Sequence, residues 1–339
     1  MSKVKKTAVI YFFYLLLAAT LSGCRQPNTP AVPTTDLPPA TTAPETAAPK
    51  PTDELPDQSS AAVELIIETE TSQKKPDEQT IILPAEELDP YFQGINGGAV
   101  FYIPSESRYL LYNQELCELP SSPCSTFKII SSLIGLETGV IDPENSVYPW
   151  NGTTYWNKEW NRDIGFEQAF QVSCIWYFRE VIDRAGKDTV SDFLNQLDYG
   201  NRDISDWQGH LNTNNNLDDL RGFWVESSLK ISPLNQAEVM KTIFESDRYD
   251  LDHISLLKQV MLTENHNSDI QIYGKTGMGV ANGLCIDAWF TGMAETADKT
   301  IYFAVRLDDP QNKETTSSKA KEIAIDILDH FEMIDPDGS

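Results

Sequence analysis

The stretch "PCSTFKIISSLIGLETG", residues 123–139, places a serine and a lysine three positions apart at the start of a predicted helix. Proline is tolerated in the first helical turn and glycine is common just after the last, so Pro123 and Gly139 fit the two ends. The apolar residues at helical spacing between them are Ile129, Ile130, Leu133 and Ile134. Residues three apart share one face of a helix, so Lys128 is predicted to reach the hydroxyl of Ser125.

The S-x-x-K spacing by itself decides nothing, because it occurs six times in the chain. The other five pairs are Ser2/Lys5, Ser72/Lys75, Ser227/Lys230, Ser255/Lys258 and Ser318/Lys321. Only Ser125 and Lys128 begin a strongly apolar helical pattern. We therefore treat this pair as the candidate nucleophile and base.

Short β-rich runs lie towards both ends of the folded part of the chain. They are GAVFYIP (98–104), RYLLYN (108–113), IQIYGKTG (270–277), LCIDAWFTGMAE (284–295) and KTIYFAVRLDD (299–309). The last amphipathic stretch, 317–334, predicts a helix. Its apolar face holds Ile323, Ile325, Ile327 and Leu328. We predict an α+β protein in which both chain ends form one antiparallel sheet, flanked by helices and with a mostly helical lobe inserted.

The N-terminus has the features of a secretory signal: a basic start, a short apolar run and small residues before a cleavage point. The apolar run is short for a membrane span of about 20 residues. The stretch "LSGC" (21–24) resembles a bacterial lipobox, which implies cleavage before Cys24 and a lipid on its sulfur. We predict that residues 1–23 are a lipoprotein signal peptide. The mature protein would then be anchored to the cell membrane on its extracytoplasmic side.

Residues 24–84 are predicted to form a disordered tether behind the lipidated cysteine. Proline, threonine, alanine and acidic residues dominate this segment, and such a composition buries too little apolar surface to offset the entropy of ordering. In an extended polyproline conformation the tether would reach on the order of 100 Å. The remaining residues, 85–339, are predicted to be the folded domain, and they are long enough for one sizeable core or two closely packed lobes.

Charge, cysteines and histidines exclude several classes of protein. The formal net charge of −25 argues against nucleic acid as a partner and against adhesion to anionic lipid. The four cysteines after Cys24 are too few for a disulfide scaffold, although Cys117 and Cys124 are close enough in sequence either to pair or to fill the core as thiols. The four histidines show no metal-ligand spacing, so no metal is predicted.

Five motifs follow one another in the chain. They are residues 123–139, AFQVSCIWYFREV (169–181), YGN (199–201), FWVESSLKISPLNQ (223–236) and YGKTG (273–277). Together they resemble the class D, oxacillinase-type serine β-lactamases of the penicillin-binding protein and serine β-lactamase superfamily, over roughly residues 95–335. The resemblance implies hydrolysis of β-lactam antibiotics through a serine acyl-enzyme, and hence resistance to them.

The resemblance also implies roles for individual residues. Ser125 would be the nucleophile, and Lys128, carbamylated by carbon dioxide or bicarbonate, its general base. Ser173 would relay a proton to the lactam nitrogen, and the indole N–H of Trp224 would support the carbamate. A serine hydroxyl needs such a neighbouring base, and burial lowers the pKa of a lysine. The apolar residues expected around Lys128 are Phe127, Ile130, Ile175 and Trp224.

The remaining implied residues concern substrate binding. The backbone N–H groups of Ser125 and Met278 would form the oxyanion hole. The substrate-binding residues would be Lys275, Thr276, Gly277 and Ile175. Tyr199, Gly200 and Asn201 fit either a catalytic role or a turn that braces the helical lobe.

Two departures from the family pattern affect substrate binding. Ile175 stands where the family usually has valine. The usual carboxylate-binding arginine of the last helix falls at Ala320, which leaves Lys319 and Lys321 as possible carboxylate anchors. A lysine offers a point charge instead of the arginine fork, so weaker anchoring is expected.

Two alternatives to a β-lactamase follow from the same motifs. One is a β-lactam-binding sensor that is acylated and then stalls. The other is a penicillin-binding D,D-peptidase that acts on cell-wall peptides. S-x-x-K and K-T-G are shared with the peptidases, whereas FWVESSLKIS and YGN favour the lactamase.

Overall fold

The computed structural model describes residues 79–210, 217–263 and 269–331. The predicted signal peptide, Cys24 and the predicted tether up to residue 78 lie outside these ranges. Within them, no helix combines the length and the apolar character that crossing a membrane requires.

The described strands form one six-stranded sheet with the order β1-β3-β2-β6-β5-β4. Their bounds are β1 (Gln79–Ile82), β2 (Gly97–Ile103), β3 (Arg108–Tyr112), β4 (Gln271–Ala281), β5 (Leu284–Glu295) and β6 (Thr300–Leu307). The helices of the described ranges are α1 (Ala85–Phe92), α2 (Gln114–Glu118), α3 (Lys128–Glu137), α4 (Phe166–Gln171), α5 (Ile175–Ala185), α6 (Lys187–Gln196), α7 (Pro233–Phe244), α8 (Leu251–Met261) and α9 (Ser317–Asp329). The α+β prediction, with both chain ends in one sheet and helices between, is confirmed.

The sheet differs from the prediction at one edge. The pairs β2–β3, β2–β6, β5–β6 and β4–β5 are antiparallel, but β1 pairs with β3 in parallel. The sheet is therefore mixed, and it begins six residues before the predicted domain boundary at residue 85. A parallel neighbour needs a crossover connection, and here α1 and β2 lie in the chain between β1 and β3.

The two faces of the sheet carry separate apolar cores, because successive residues of a strand point to opposite faces. In β2, Phe101 and Ile103 pack with α1 and α9, whereas Val100 and Tyr102 pack with the helical lobe. The predicted apolar face of α9 is confirmed, since its isoleucines and Leu328 are all buried. The lobe is thus fixed against the sheet face opposite to α9.

The segment that carries the candidate pair begins with a short 3-10 turn, Cys124–Phe127, and continues as α3. Ser125 therefore precedes the α-helix instead of beginning it, while Lys128 is its first residue. α3 is buried on all sides as far as Leu136. Its buried hydroxyls bond to the preceding turn: Ser131 Oγ donates to the carbonyl of Phe127 at 3.0 Å. Gly139, with φ +71°, ends the segment as predicted.

The cysteines of the described ranges are free thiols. Cys117 Sγ donates to the backbone carbonyls of Tyr112 and Ala99, at 3.1 and 3.3 Å. Cys124 is also buried. Of the two readings of this pair, the structure therefore supports small core residues and not a disulfide.

Candidate active site

A cleft of about 570 Å³ lies between β4 and the helical lobe. Six residues that the sequence singled out line it: Ser125, Ser173, Ile175, Thr276, Gly277 and Met278. The described residues contain no group of three or more histidines, cysteines or acids placed to hold a metal ion. The cleft offers hydroxyl, backbone and apolar groups and the carboxylate of Glu226 to a ligand.

Ser125 and Lys128 are in direct contact. Lys128 Nζ donates to Ser125 Oγ at 3.0 Å, as the helical spacing predicted. Cys124, just before the serine, has a left-handed backbone with φ +50°, a conformation that costs a non-glycine residue about 1–2 kcal/mol. Its backbone N–H donates to the carbonyl of Trp224 at 2.9 Å, which holds the turn in place. Backbone strain of this kind is concentrated at functional sites.

Lys128 is buried, with 1% of its surface exposed. Burial lowers the pKa of its ammonium from 10.5 to about 8, against a smaller opposing effect of the nearby thiols of Cys174 and Cys124. The Nζ atom lies 5.7 Å from the ring centroid of Phe178. A substantial fraction of this amine is therefore neutral near physiological pH, and a neutral amine can accept the proton of Ser125.

Ser173 lies in the cleft wall between α4 and α5, and its backbone is left-handed with φ +55°. Two indoles fix the chain around it. Trp160 Nε1 donates to the carbonyl of Val172 at 3.0 Å, and Trp176 Nε1 donates to the carbonyl of Trp160 at 3.0 Å. The loop that carries Trp160 thus positions the peptide preceding Ser173.

The K-T-G motif is divided between the cleft and the interior. Thr276 and Gly277 line the cleft, whereas Lys275 is buried with 5% exposure and donates to the carbonyl of Thr276 at 3.0 Å. Burial, and then the positive charges of Lys128 and Lys321, hold the pKa of Lys275 well below its usual value. Lys275 therefore does not line the cleft itself, whereas its neighbour Thr276 does.

Gly277 allows β4 to approach the nucleophile closely. A Cβ atom at this position would lie 2.9 Å from the carbonyl oxygen of Pro123 and 3.1 Å from the backbone nitrogen of Thr126. Real Cβ atoms essentially never come within 3.0 Å of a backbone atom, so any side chain here would push β4 and the 3-10 turn apart.

We expect Gly277→Ala to lower kcat/KM for a β-lactam on the order of 10- to 100-fold, because displacements near 1 Å are enough to disrupt a reacting geometry. The measurement is steady-state kinetics together with the rate of acylation. Gly165→Ala is the matched control, since its Cβ would meet nothing closer than 3.4 Å. Equal kinetics for the two variants would show that the approach of β4 to the turn is unimportant.

Trp224 joins the helical lobe to the turn through both its ring and its backbone. Its indole is buried and stacks on Phe127, with ring centroids 5.5 Å apart. Its carbonyl accepts hydrogen bonds from Cys124 N and from Ser122 Oγ, the latter at 3.2 Å. Trp224 thus packs against Phe127, the residue that precedes Lys128.

The family described as the penicillin binding protein transpeptidase domain matches residues 96–329. The chain belongs to this family. It is 34% identical over 235 residues to the regulatory protein BlaR1 of Bacillus licheniformis, an alignment that covers 69% of the chain and only 36% of that relative's length. The chain therefore spans only about a third of that relative's length.

Two solved structures resemble this transpeptidase-family domain. The C-terminal domain of the Bacillus licheniformis BlaR penicillin-receptor superposes with a TM-score of 0.65 at 31% identity, covering 76% of this chain and 98% of that one. The class D β-lactamase BAT-2 superposes with a TM-score of 0.62 at 29% identity, covering 72% and 94%. The serine β-lactamase and penicillin-binding fold is thus shown, and both hydrolases and receptors share it.

The YGN motif of this transpeptidase-family domain braces the lobe. The N–H of Gly200 donates to Asn235 Oδ1 at 2.7 Å, and the side chain of Asn201 donates to the carbonyl of Ser228 at 2.9 Å. A Cβ on Gly200 would lie 1.9 Å from the carbonyl oxygen of Lys230, so only glycine fits. For Gly200 and Asn201 the bracing interpretation is therefore supported.

The last helix changes the prediction for the carboxylate anchor. Ala320 is fully buried in the core, so its position on α9 cannot face the cleft. Lys319 Nζ is held by the carboxylate of Glu322 at 2.6 Å. Ser317 lines the cleft, and Lys321, one turn further on, is near enough to Lys275 to lower its pKa. Of the two candidate lysines, Lys321 is the one that affects Lys275, and its role as a carboxylate anchor stays a prediction.

Several residues of the cleft wall were not predicted as site residues. Among them are Trp156, Trp160, Glu226 and Ser317. Trp156 is 73% exposed and packs on Trp160, with ring centroids 4.9 Å apart. The carboxylate of Glu226 accepts a hydrogen bond from the N–H of Val280, where β4 has a bulge. Glu226 belongs to a quoted motif and could have been noticed there, whereas the tryptophans lie in a loop without periodicity.

Proposed function

We propose that the protein hydrolyses β-lactams through an acyl-enzyme on Ser125, as class D serine β-lactamases do. One observation carries the proposal: Lys128 Nζ lies 3.0 Å from Ser125 Oγ and belongs to an amine whose pKa burial lowers to about 8. A nucleophile in contact with a base whose neutral form is accessible near physiological pH is the arrangement that acyl transfer requires. Hydrolysis of the drug would give the cell resistance.

Each proton transfer in the proposed reaction can be assigned to a residue of this chain. Ser125 Oγ attacks the lactam carbonyl and gives up its proton to the base at Lys128. The backbone N–H groups of Ser125 and Met278 stabilise the oxyanion. As the lactam C–N bond breaks, Ser173 passes a proton to the departing nitrogen, which stays attached to the product through the ring. A water activated by the same base then cleaves the ester, releases the product carboxylate and restores the hydroxyl.

The surroundings of Lys128 suit the addition of carbon dioxide. Only a neutral amine reacts, and burial makes this amine neutral at lower pH than an ordinary lysine. Trp224 through its indole N–H and Ser125 through its hydroxyl are the residues that would hold a carbamate. When formed, this group supplies the general base for both acylation and deacylation. No other cofactor is proposed.

A penicillin receptor is the second candidate function. It is favoured by the 34% identity to BlaR1 and by the structural similarity to the BlaR penicillin-receptor domain. A receptor of this kind would use the same Ser125 and would form the same ester. The difference lies in the second half of the reaction, because a receptor keeps the ester and a hydrolase cleaves it.

The experiment that separates the candidates is hydrolysis of a chromogenic cephalosporin by the purified protein, with and without added bicarbonate. We expect many turnovers for each protein molecule and faster turnover with bicarbonate. Colour that stops at one equivalent, with a stable adduct by mass spectrometry, would instead establish a receptor. Slow lactam release together with cleavage of a D-Ala-D-Ala peptide would establish a D,D-peptidase.

We also propose that a lipid on Cys24 anchors the protein to the outer side of the cell membrane, with β-lactams as its small-molecule partners. The "LSGC" stretch supports the anchor. One acyl chain binds membranes only marginally, so the anchor would need at least two chains, as in a diacylglycerol.

A further inference from the structure

Arg179 is a buried cation that contacts the tryptophan next to the candidate catalytic pair. It lies on α5, one turn after Ile175, and is 4% exposed. Its guanidinium carbon is 5.5 Å from the ring centroid of Trp207 and 5.7 Å from that of Trp224. A buried arginine in contact with two indoles must be fixed by specific partners, because an unpaired buried charge is strongly destabilising.

Those partners hold the guanidinium as a rigid fork. Nε donates to Asp183 Oδ2 at 2.8 Å, and Nη2 donates to the other oxygen of the same carboxylate. Nη1 donates to the carbonyl of Trp207 at 2.7 Å. Trp207 Nε1 in turn donates to Asp183 Oδ1 at 3.1 Å. Bidentate pairing of this kind fixes the orientation of the planar group as well as its position.

The remaining contacts of the Trp224 ring are aromatic and apolar. Phe127 stacks on it, and Phe223 meets it edge-on with centroids 4.9 Å apart. Phe223 itself stacks on Trp207 at 5.2 Å. The hydrogen-bonded Arg179 adds a rigid contact to this group.

The carboxylate of Asp183 largely balances the positive charge of Arg179. The arginine therefore acts on Trp224 through steric contact with the ring more than through its electric field. We propose that Arg179 is a positioning residue that fixes the orientation of the Trp224 indole. Through that ring it favours carbon dioxide uptake at Lys128. The second step rests on the proposed function, whereas the first does not.

The test compares Arg179→Gln with Arg184→Gln. Arg184 lies on the same helix, pairs with Glu180 at 2.7 Å and stacks on Tyr148 at 4.3 Å. The control therefore removes the same charge and an ion pair from the same helix, at a more exposed position away from Trp224. The first readout is the indole ¹H–¹⁵N resonance of Trp224, assigned with Trp224→Phe. The second is the bicarbonate concentration that gives half-maximal turnover.

We expect Arg179→Gln to shift or broaden the Trp224 resonance and to raise the half-saturating bicarbonate concentration at least fivefold, with saturating bicarbonate restoring turnover. Arg184→Gln should change neither. An unchanged resonance in Arg179→Gln, or the same change in both variants, would overturn the positioning role. If Arg179→Gln does not fold, Asp183→Asn is tested by the same two readouts. This variant keeps the arginine and weakens the bidentate hydrogen bonds that fix its guanidinium.

The two readouts also distinguish a failure of this inference from a failure of the proposed function. If the wild-type protein ignores bicarbonate, the carbamate is contradicted and the resonance alone decides on Arg179. If the wild type responds to bicarbonate and Arg179→Gln responds identically, the carbamate stands and the link from Arg179 to Lys128 is wrong.

Discussion

Ser125→Ala should abolish covalent labelling by penicillin and lower β-lactam turnover by about 10⁴-fold or more, because the variant lacks the hydroxyl that contacts Lys128 and would form the ester. The loss of one hydroxyl at the cleft wall leaves the packing of α3 intact, so the melting temperature should change little. Intact-protein mass spectrometry after incubation with penicillin measures the adduct.

The chain supplies its own control in another S-x-x-K sequence. Ser255 and Lys258 have the same spacing on α8, but Lys258 is held by the carboxylate of Glu295 at 2.6 Å. Ser255→Ala should therefore label and turn over like the wild type. A stable adduct on Ser125→Ala protein would remove Ser125 as the nucleophile.

Removing the indole donor should stall the reaction after acylation. We expect Trp224→Phe to lower kcat about 100-fold and to accumulate acyl-enzyme, since a residual free amine still supports one slow acylation. Phenylalanine is preferable to alanine, because a large-to-small change at this buried site costs about 3–5 kcal/mol. Excess bicarbonate should rescue the variant in part. The measurement is the ratio of burst amplitude to steady-state rate.

The same hypothesis predicts a pH dependence for the wild type. Below the Lys128 pKa of about 8, the neutral amine becomes scarcer by roughly tenfold per pH unit. At constant dissolved carbon dioxide, reactivation of bicarbonate-depleted protein should therefore slow as the pH falls from 8 to 6. If bicarbonate has no effect and no carbamate carbon appears by ¹³C NMR, Lys128 acts as a bare amine, as expected for a peptidase.

Most of the sheet could be read from local patterns. β5 was predicted at its observed bounds, and β2, β3 and β6 were predicted to within one or two residues. β4 extends to Ala281, beyond its predicted end at Gly277, because the residues after Gly277 gain their strand structure from pairing with β5. β1 was missed because its four residues follow an acidic, proline-rich segment and gain their structure from β3.

The site was predictable where chemistry and spacing coincide. Ser125, Lys128 and Thr276 could be placed because their motifs define both residue type and element. Trp160 could not, because a loop residue reaches the cleft only through tertiary contacts. Arg179 could not be predicted for a different reason. An arginine and an aspartate four positions apart are typical of an ion pair on an exposed helix face, and only the tertiary structure shows that Arg179 is buried.

The buried Lys128 amine also ties the folding equilibrium to pH. Between its folded pKa of about 8 and its ordinary value of 10.5, the unfolded chain holds a proton that the folded protein lacks, so folding stability rises with pH in this window. Below pH 8 the full cost, roughly 3 kcal/mol, is present. The free energy of unfolding at neutral pH is thus reduced by the same atom that makes Ser125 reactive, and the apolar packing of α3 offsets that loss.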